Sequence, residues 1–348
     1  MCLQMLFRLS MALRCYKNNQ WDNRMITKSN LQEMEDVVAH LKAVPFDVTV
    51  EGLYSAVQLY DGYEPECPQS YEDCYDQCVY RHFLAEGKQT GNTKELLART
   101  LHDYRIHVGI RDFVARHDAR CCIGVMGGHA LLRTDEMFRK VVMLSKCLTE
   151  RNYCMISGGG PGAMEAAHLG AWMAGRTEEE VDDALAMLQP APSFKDEGWL
   201  PAAFRVMQKY PQRRYVSLGI PTWLYGHEPS TPFATHIAKL FENSIREDSI
   251  LTLAFGGIVY TPGSAGTLQE IFQEAVQNHY LSFGFSSPMI FLGKRFWTEE
   301  MPVFPLLEGL EEAGKYRNLR LLLTDDVERV VEELEMFHVE LFQKIREK

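Results

Sequence analysis

Apolar positions along this chain change their period near residue 118. Before that point they recur three and four residues apart, the spacing of one helical face. Residues 31–44 read as a helix stopped by Pro45, and residues 71–85 as a second, ending at Gly87. Asn92 is placed to cap a long third helix, with Leu96, Leu97, Leu101, Ile106, Val108, Ile110 and Phe113 as its apolar positions. From Cys121 onward, short apolar runs alternate with helical stretches. Residues 121–126, 153–156, 216–220, 258–260, 288–292 and 321–324 read as strands. Residues 134–150, a small-residue run through Ala174, and residues 297–310 and 326–345 supply helices between or after them. A further helix is expected from Pro232 or Phe233 to Arg246, delivering His236, Asn243 and Arg246. Another opens after Pro262-Gly263, with Leu268, Ile271, Phe272 and Ala275 on one face. Residues 178–188 and 200–208 are helical too, punctuated by Pro190, Pro192 and Pro211, and they interrupt the alternation. The pattern implies an α/β fold: a Rossmann-like, doubly wound parallel sheet. Its expected organisation is an N-terminal helical region over 1–118 and a sheet domain over 119–348. The helical insertion at about 176–215 is a candidate lid.

Composition is that of an ordinary globular protein of 348 residues, large enough for one large domain or two. The net charge of −11 argues against non-specific binding to nucleic acid or to acidic membranes. No apolar run reaches membrane-spanning length. The nine cysteines are scattered. Cys67, Cys74 and Cys78 form no Cys-x-x-Cys pair and meet no matching histidine spacing, so reduced thiols of a cytoplasmic protein are expected. Residues 1–20 carry Arg8, Arg14 and Lys17 without an acid, but lack the serine richness of a transit peptide.

Two glycine clusters carry the candidate chemistry, and both follow strands, where doubly wound sheets bind their ligands. Residues 262–270 read Pro-Gly-Ser-Ala-Gly-Thr-Leu-Gln-Glu. Gly263, Ser264, Ala265, Gly266 and Thr267 expose backbone N–H groups at a helix start, where unpaired donors and the helix dipole favour an anion. Behind this cradle sits Glu270. Thr267-x-x-Glu270 also spells a capping box, in which Glu270 would only tie down its own helix. The second cluster runs Ser157, Gly158, Gly159, Gly160, Pro161, Gly162, Ala163, Met164, Glu165. Gly158-x-Gly160-x-x-Ala163 imitates a dinucleotide fingerprint, but the acid expected about twenty residues on falls in a helical run. There is no Walker A sequence. Trp223 and Tyr225 are candidates to stack on a base, with burial in the core as the competing reading. His227 and His236 have no third ligand nearby, so no metal is expected.

Residues 262–270 resemble the Pro-Gly-Gly-x-Gly-Thr-x-x-Glu signature of the LOG (Lonely Guy) family of nucleoside 5′-monophosphate phosphoribohydrolases. Residues 157–165 resemble that family's Gly-Gly-Gly-x-x-Gly-x-Met element, and Gly127-Gly128-His129 its first glycine loop. The resemblance covers about residues 119–335 and is nearest to the larger bacterial nucleotide nucleosidases. It implies a catalytic pair, Glu270 with Arg246 on the preceding helix. It also implies a substrate-binding set of Gly263, Ser264, Ala265, Gly266, Thr267, Gly128, His129, Arg133, Gly158, Gly159, Gly160, Gly162 and Met164. The substrate would be a nucleoside monophosphate, hydrolysed to free base and ribose 5-phosphate without a cofactor, in a homodimer or higher homo-oligomer. The chain departs from the pattern at Ser264 (a glycine in the signature), at Gln269 (a glutamate) and at Glu247 (a lysine after the arginine). The alternative is a nucleotide-binding sensor or carrier on the same fold that turns nothing over.

Overall fold

Seven parallel strands set the frame, and their order decides where a ligand can enter. The computed structural model of the protein describes residues 28–346, so the basic stretch at 1–20 lies outside the described residues. The strands are β1 (Cys122–Met126), β2 (Cys154–Ser157), β3 (Ser217–Gly219), β4 (His236–Ile237), β5 (Ile258–Tyr260), β6 (Pro288–Leu292) and β7 (Arg320–Thr324). They lie in the order β4-β3-β2-β1-β5-β6-β7, all paired parallel. The chain builds outward from β1 to β4, then restarts on the other side of β1 with β5. Between β1 and β5 the connections diverge, which opens a crevice at the carboxyl ends of those two strands. Every residue of β1, β2, β5 and β6 is buried, as expected of a parallel sheet covered on both faces.

The helices are α1 (Lys28–Ala43), α2 (Ala56–Leu59), α3 (Tyr75–Ala85), α4 (Thr93–Arg116), α5 (Glu136–Glu150) and α6 (Ala163–Trp172), followed by α7 (Glu178–Leu188), α8 (Trp199–Lys209), α9 (Asn243–Leu253), α10 (Ala265–Tyr280), α11 (Val303–Glu312) and α12 (Val327–Arg346). Asn92 caps α4 through the Lys94 N–H, as its position in the sequence suggests. One sheet face is covered by α5, α6, α7, α8 and α12, through residues such as Phe138, Ala167, Val181, Val206 and Val330. The other is covered by α9, α10 and α11 together with the N-terminal region, whose Phe46, Tyr54, Phe83, Ile106 and Phe113 share one buried cluster with Trp223, Ile237 and Phe241.

Two expectations are corrected. The run from Pro232 or Phe233 to Arg246 is not a helix: His236–Ile237 is the edge strand β4, and α9 begins only at Asn243. Ile237, Ala238, Leu240 and Phe241 form a buried apolar run that a local pattern cannot assign to helix or strand. Pairing decides it, with β3 on one side and an antiparallel bridge from Tyr54 on the other. The insertion is no lid either. Val181, Ala184, Leu188, Ala202 and Ala203 of α7 and α8 are buried against the sheet domain, so the two helices form part of a packed layer.

Candidate functional site

Strand β1 ends at Met126, and the chain turns through Gly127, Gly128 and His129. Strand β5 ends at Tyr260, and the chain turns through Pro262 and Gly263 into α10. These turns form two walls of a cleft of about 210 Å³, at the point where the sheet order reverses. The β2–α6 turn supplies a third wall. Gly162 there has φ +70°, and a side chain would meet the His129 carbonyl carbon at 2.8 Å, so only glycine lets the first two glycine turns touch backbone to backbone. Gly158 likewise leaves room for the Arg246 guanidinium.

The start of α10 settles the two readings of Glu270. The helix begins at Ala265 with Ser264 at its N-cap and no side-chain cap. Thr267 is therefore inside the helix, and Thr267-x-x-Glu270 is not a capping box. The first-turn N–H groups keep no intrahelical partner, and Ser264, Gly266 and Thr267 line the cleft beside them. Glu270 sits deeper in the helix, 7% exposed, and no hydrogen bond or ion pair among the described residues ties its carboxylate down. Burial pushes its carboxyl up to about 7; the Arg246 charge pulls it back and Glu247 pushes it further.

Arg246 reaches the cleft from the first turns of α9. Its Nε donates to the Ile220 carbonyl at 3.3 Å, and its Nη1 lies 3.9 Å from Glu247. Glu247 accepts from Asn243 at 2.6 Å on its own helix and from Gln269 at 2.8 Å on α10. Two of the three departures from the signature thus bond to each other. Glu247 and Gln269 stand where the resembled pattern has lysine and glutamate, and here Gln269 donates to Glu247 across the two helices.

The cleft brings together Gly128, His129, Gly158, Met164, Arg246, Ser264, Gly266, Thr267 and Glu270 of the expected set. Gly159, Gly160, Gly162, Gly263 and Ala265 shape the turns behind that lining. Arg133 is a correction. It is 3% exposed and its guanidinium is engaged by the Glu165 carboxylate and by the carbonyls of Ala191 (3.2 Å) and Trp199 (3.0 Å). It latches the inserted helices onto α6 and is not among the residues lining the cleft. Trp223 is fully buried and donates to Asp76, whereas Tyr225, 43% exposed, lines the cleft and has a ring free to stack. Glu228 and Glu247 also line it and were not foreseen. Glu228 had one signal, its place in a loop that follows a strand end; the position of Glu247 beside Arg246 was visible only as a departure.

No family model matches the chain, and no curated protein does. Among solved structures it is similar to the molybdenum cofactor binding protein of the phototrophic bacterium Rippkaea orientalis, with 15% identity over 62% of this chain and 96% of that one and a TM-score of 0.39. It is also similar to the structural-genomics target TM1055, with 18% identity over 62% of this chain and 98% of that one and a TM-score of 0.40. Among the described residues no group of three or more His, Cys, Asp or Glu is arranged to hold a metal ion, and no helix is long and apolar enough to cross a membrane. A larger cavity of about 810 Å³ lies between α4 and α9, lined by Leu96, Tyr104 and Ile245 among others. It lacks both the glycine turns and an open helix start, the features that would hold a phosphate.

Proposed function

We propose that this cleft hydrolyses the N-glycosidic bond of a nucleoside 5′-monophosphate to free base and ribose 5-phosphate. The observation that carries the reading is Glu270: a buried carboxylate with no hydrogen bond among the described residues, five residues into the helix whose open start faces the same cleft. With the phosphate on the N–H groups of Ser264, Gly266 and Thr267, the ribose lies in the cleft that Glu270 lines. Cleavage passes through a cation-like ribose. A carboxylate there stabilises the developing charge and takes a proton from the attacking water. Arg246 holds the substrate in register with charge-assisted hydrogen bonds. Tyr225 offers a face to the base.

The test is Glu270→Gln with a panel of nucleoside monophosphates, assayed for free base and reducing sugar. The side chain keeps its shape and caps nothing, so the variant should melt no lower than the parent and still bind monophosphates. Turnover should fall by about 10²–10³. Turnover near the parent's would remove Glu270 from the mechanism. Binding without base release in the parent would favour the sensor or carrier.

A further inference from the structure

Hydrolysis as proposed leaves one chemical need that neither Arg246 nor Glu270 meets. A purine or pyrimidine departs poorly as an anion, so the breaking bond needs a proton delivered to the base. A guanidinium does not give up its proton in proteins, and Glu270 is committed to the attacking water. His129 is the remaining cleft residue of a type that gives and retakes protons near neutrality. Its Nδ1 lies 3.3 Å from Glu228 Oε1, with the histidine side chain 48% exposed and the glutamate 16%. Its main chain lies so close to Gly162 that a side chain there would meet the His129 carbonyl, and its ring packs T-shaped on Phe194, with centroids 5.9 Å apart. His227 approaches the same Glu228 oxygen from outside the cleft at 3.7 Å. A carboxylate at Nδ1 fixes the ring and leaves Nε2 as the nitrogen free to act.

We propose that His129, oriented by Glu228, is the general acid that protonates the departing base. The inference rests on the hydrolysis reading above. The C1′–N bond breaks with its electron pair going to the base, and a ring nitrogen of the base takes the proton from His129 Nε2. Water adds to C1′ and its released proton passes to Glu270. Exchange with bulk water then restores both side chains, so one water is consumed per bond. His129 is a catalytic residue in this scheme and Glu228 a positioning residue.

The test uses leaving-group chemistry. The purine monophosphate hydrolysed fastest is compared with its N7-methylated counterpart, whose cationic base departs without protonation. His129→Asn keeps a donor towards Glu228 but no transferable proton. It should slow the ordinary substrate about 10²–10³-fold and the methylated one less than about threefold. Glu228→Gln should show the same asymmetry with a smaller loss. Circular dichroism melting confirms that both variants fold. Equal losses on the two substrates, or a change in KM alone, would overturn the dyad while the hydrolysis reading stands. A parent protein that releases no base from any monophosphate would overturn both.

Discussion

Glu270 and Glu274 stand one turn apart on the same buried face of α10, 7% and 3% exposed. Burial pushes both carboxyls up to about 7, offset at Glu274 by a hydrogen bond from the Ser287 hydroxyl. The Tyr260 hydroxyl, buried and without a hydrogen-bond partner among the described residues, lies in the field of both. If Glu270 acts as a carboxylate, turnover should rise with pH through an ionisation near 7, the acid limb of a pH–rate profile. Glu274 lines no wall of the cleft, so its effect belongs to stability. Its folded value lies above the ordinary carboxylate range of the unfolded chain. Between the two, the folded state binds the extra proton and loses stability as the pH rises. Glu274→Gln keeps an acceptor for Ser287 and removes the buried charge. It should therefore stabilise the protein by about 1–3 kcal/mol at pH 8 and by almost nothing near pH 4. Denaturant melts at the two pH values check this, and an equal effect at both would show that the charge is not the cause.

Helix α9 carries Arg246, and the N-terminal region fixes where α9 begins. Asp103 of α4 accepts hydrogen bonds from the backbone N–H groups of Phe241 (3.0 Å) and Glu242 (2.8 Å), at the entrance to α9. Asp103 is itself held by His102 Nδ1 at 2.9 Å, and His102 Nε2 meets the Tyr54 hydroxyl at 2.9 Å. The same segment that extends the sheet edge thus braces the arm that points Arg246 into the cleft. Asp103→Ala leaves buried donors unpaired and should lower stability by about 2–3 kcal/mol. Because Arg246 sits one turn in from the freed end, turnover per folded molecule should fall as well. Calorimetry and kinetics on the same sample check both effects, and an unchanged melting temperature would show that Asp103 does not anchor the helix.

Across the whole molecule, the N-terminal region and the sheet domain share one core. Asp76 of α3 and Lys239 after β4 form a buried ion pair at 2.6 Å, each 1% exposed at the side chain. Trp223 donates to Asp76 at 2.9 Å, and Lys239 to Ser230 at 3.1 Å. Phe46, His102, Trp223 and Phe241 cluster in edge and tilted ring contacts around the same junction. A boundary crossed by a buried pair and an aromatic cluster transmits unfolding. Tryptophan fluorescence and far-ultraviolet dichroism should therefore report one coincident transition. Asp76→Ala, which strands Lys239 without its partner, should move both probes down together by about 3–5 kcal/mol. Two separated transitions would show instead that the region up to residue 118 folds independently.

The sequence by itself determined most of the alternation of strands and helices, the two glycine turns, and the placing of Glu270 on the helix that opens after Pro262-Gly263, whereas it misplaced the bounds of the helix that carries Arg246. Those signals are local: Pro262-Gly263 stops a strand, Leu268, Ile271 and Ala275 repeat on one helical face, and each is complete within a few residues. Only the tertiary structure decided what depends on partners far along the chain. Strand β4 has two residues and exists because β3 and Tyr54 pair with it. Arg133 has a cleft-like position in sequence, yet Glu165 and the carbonyls of Ala191 and Trp199 hold it elsewhere. The start of α10 at Ala265, set by the turn entering it, freed Glu270 from a cap that its four-residue motif spells out. Glu228 meets His129 from a loop on another strand, and Glu247 meets Gln269 from another helix. A local pattern records propensity and period. It does not record which distant group arrives to complete a hydrogen bond, and most of this cleft is made of such arrivals.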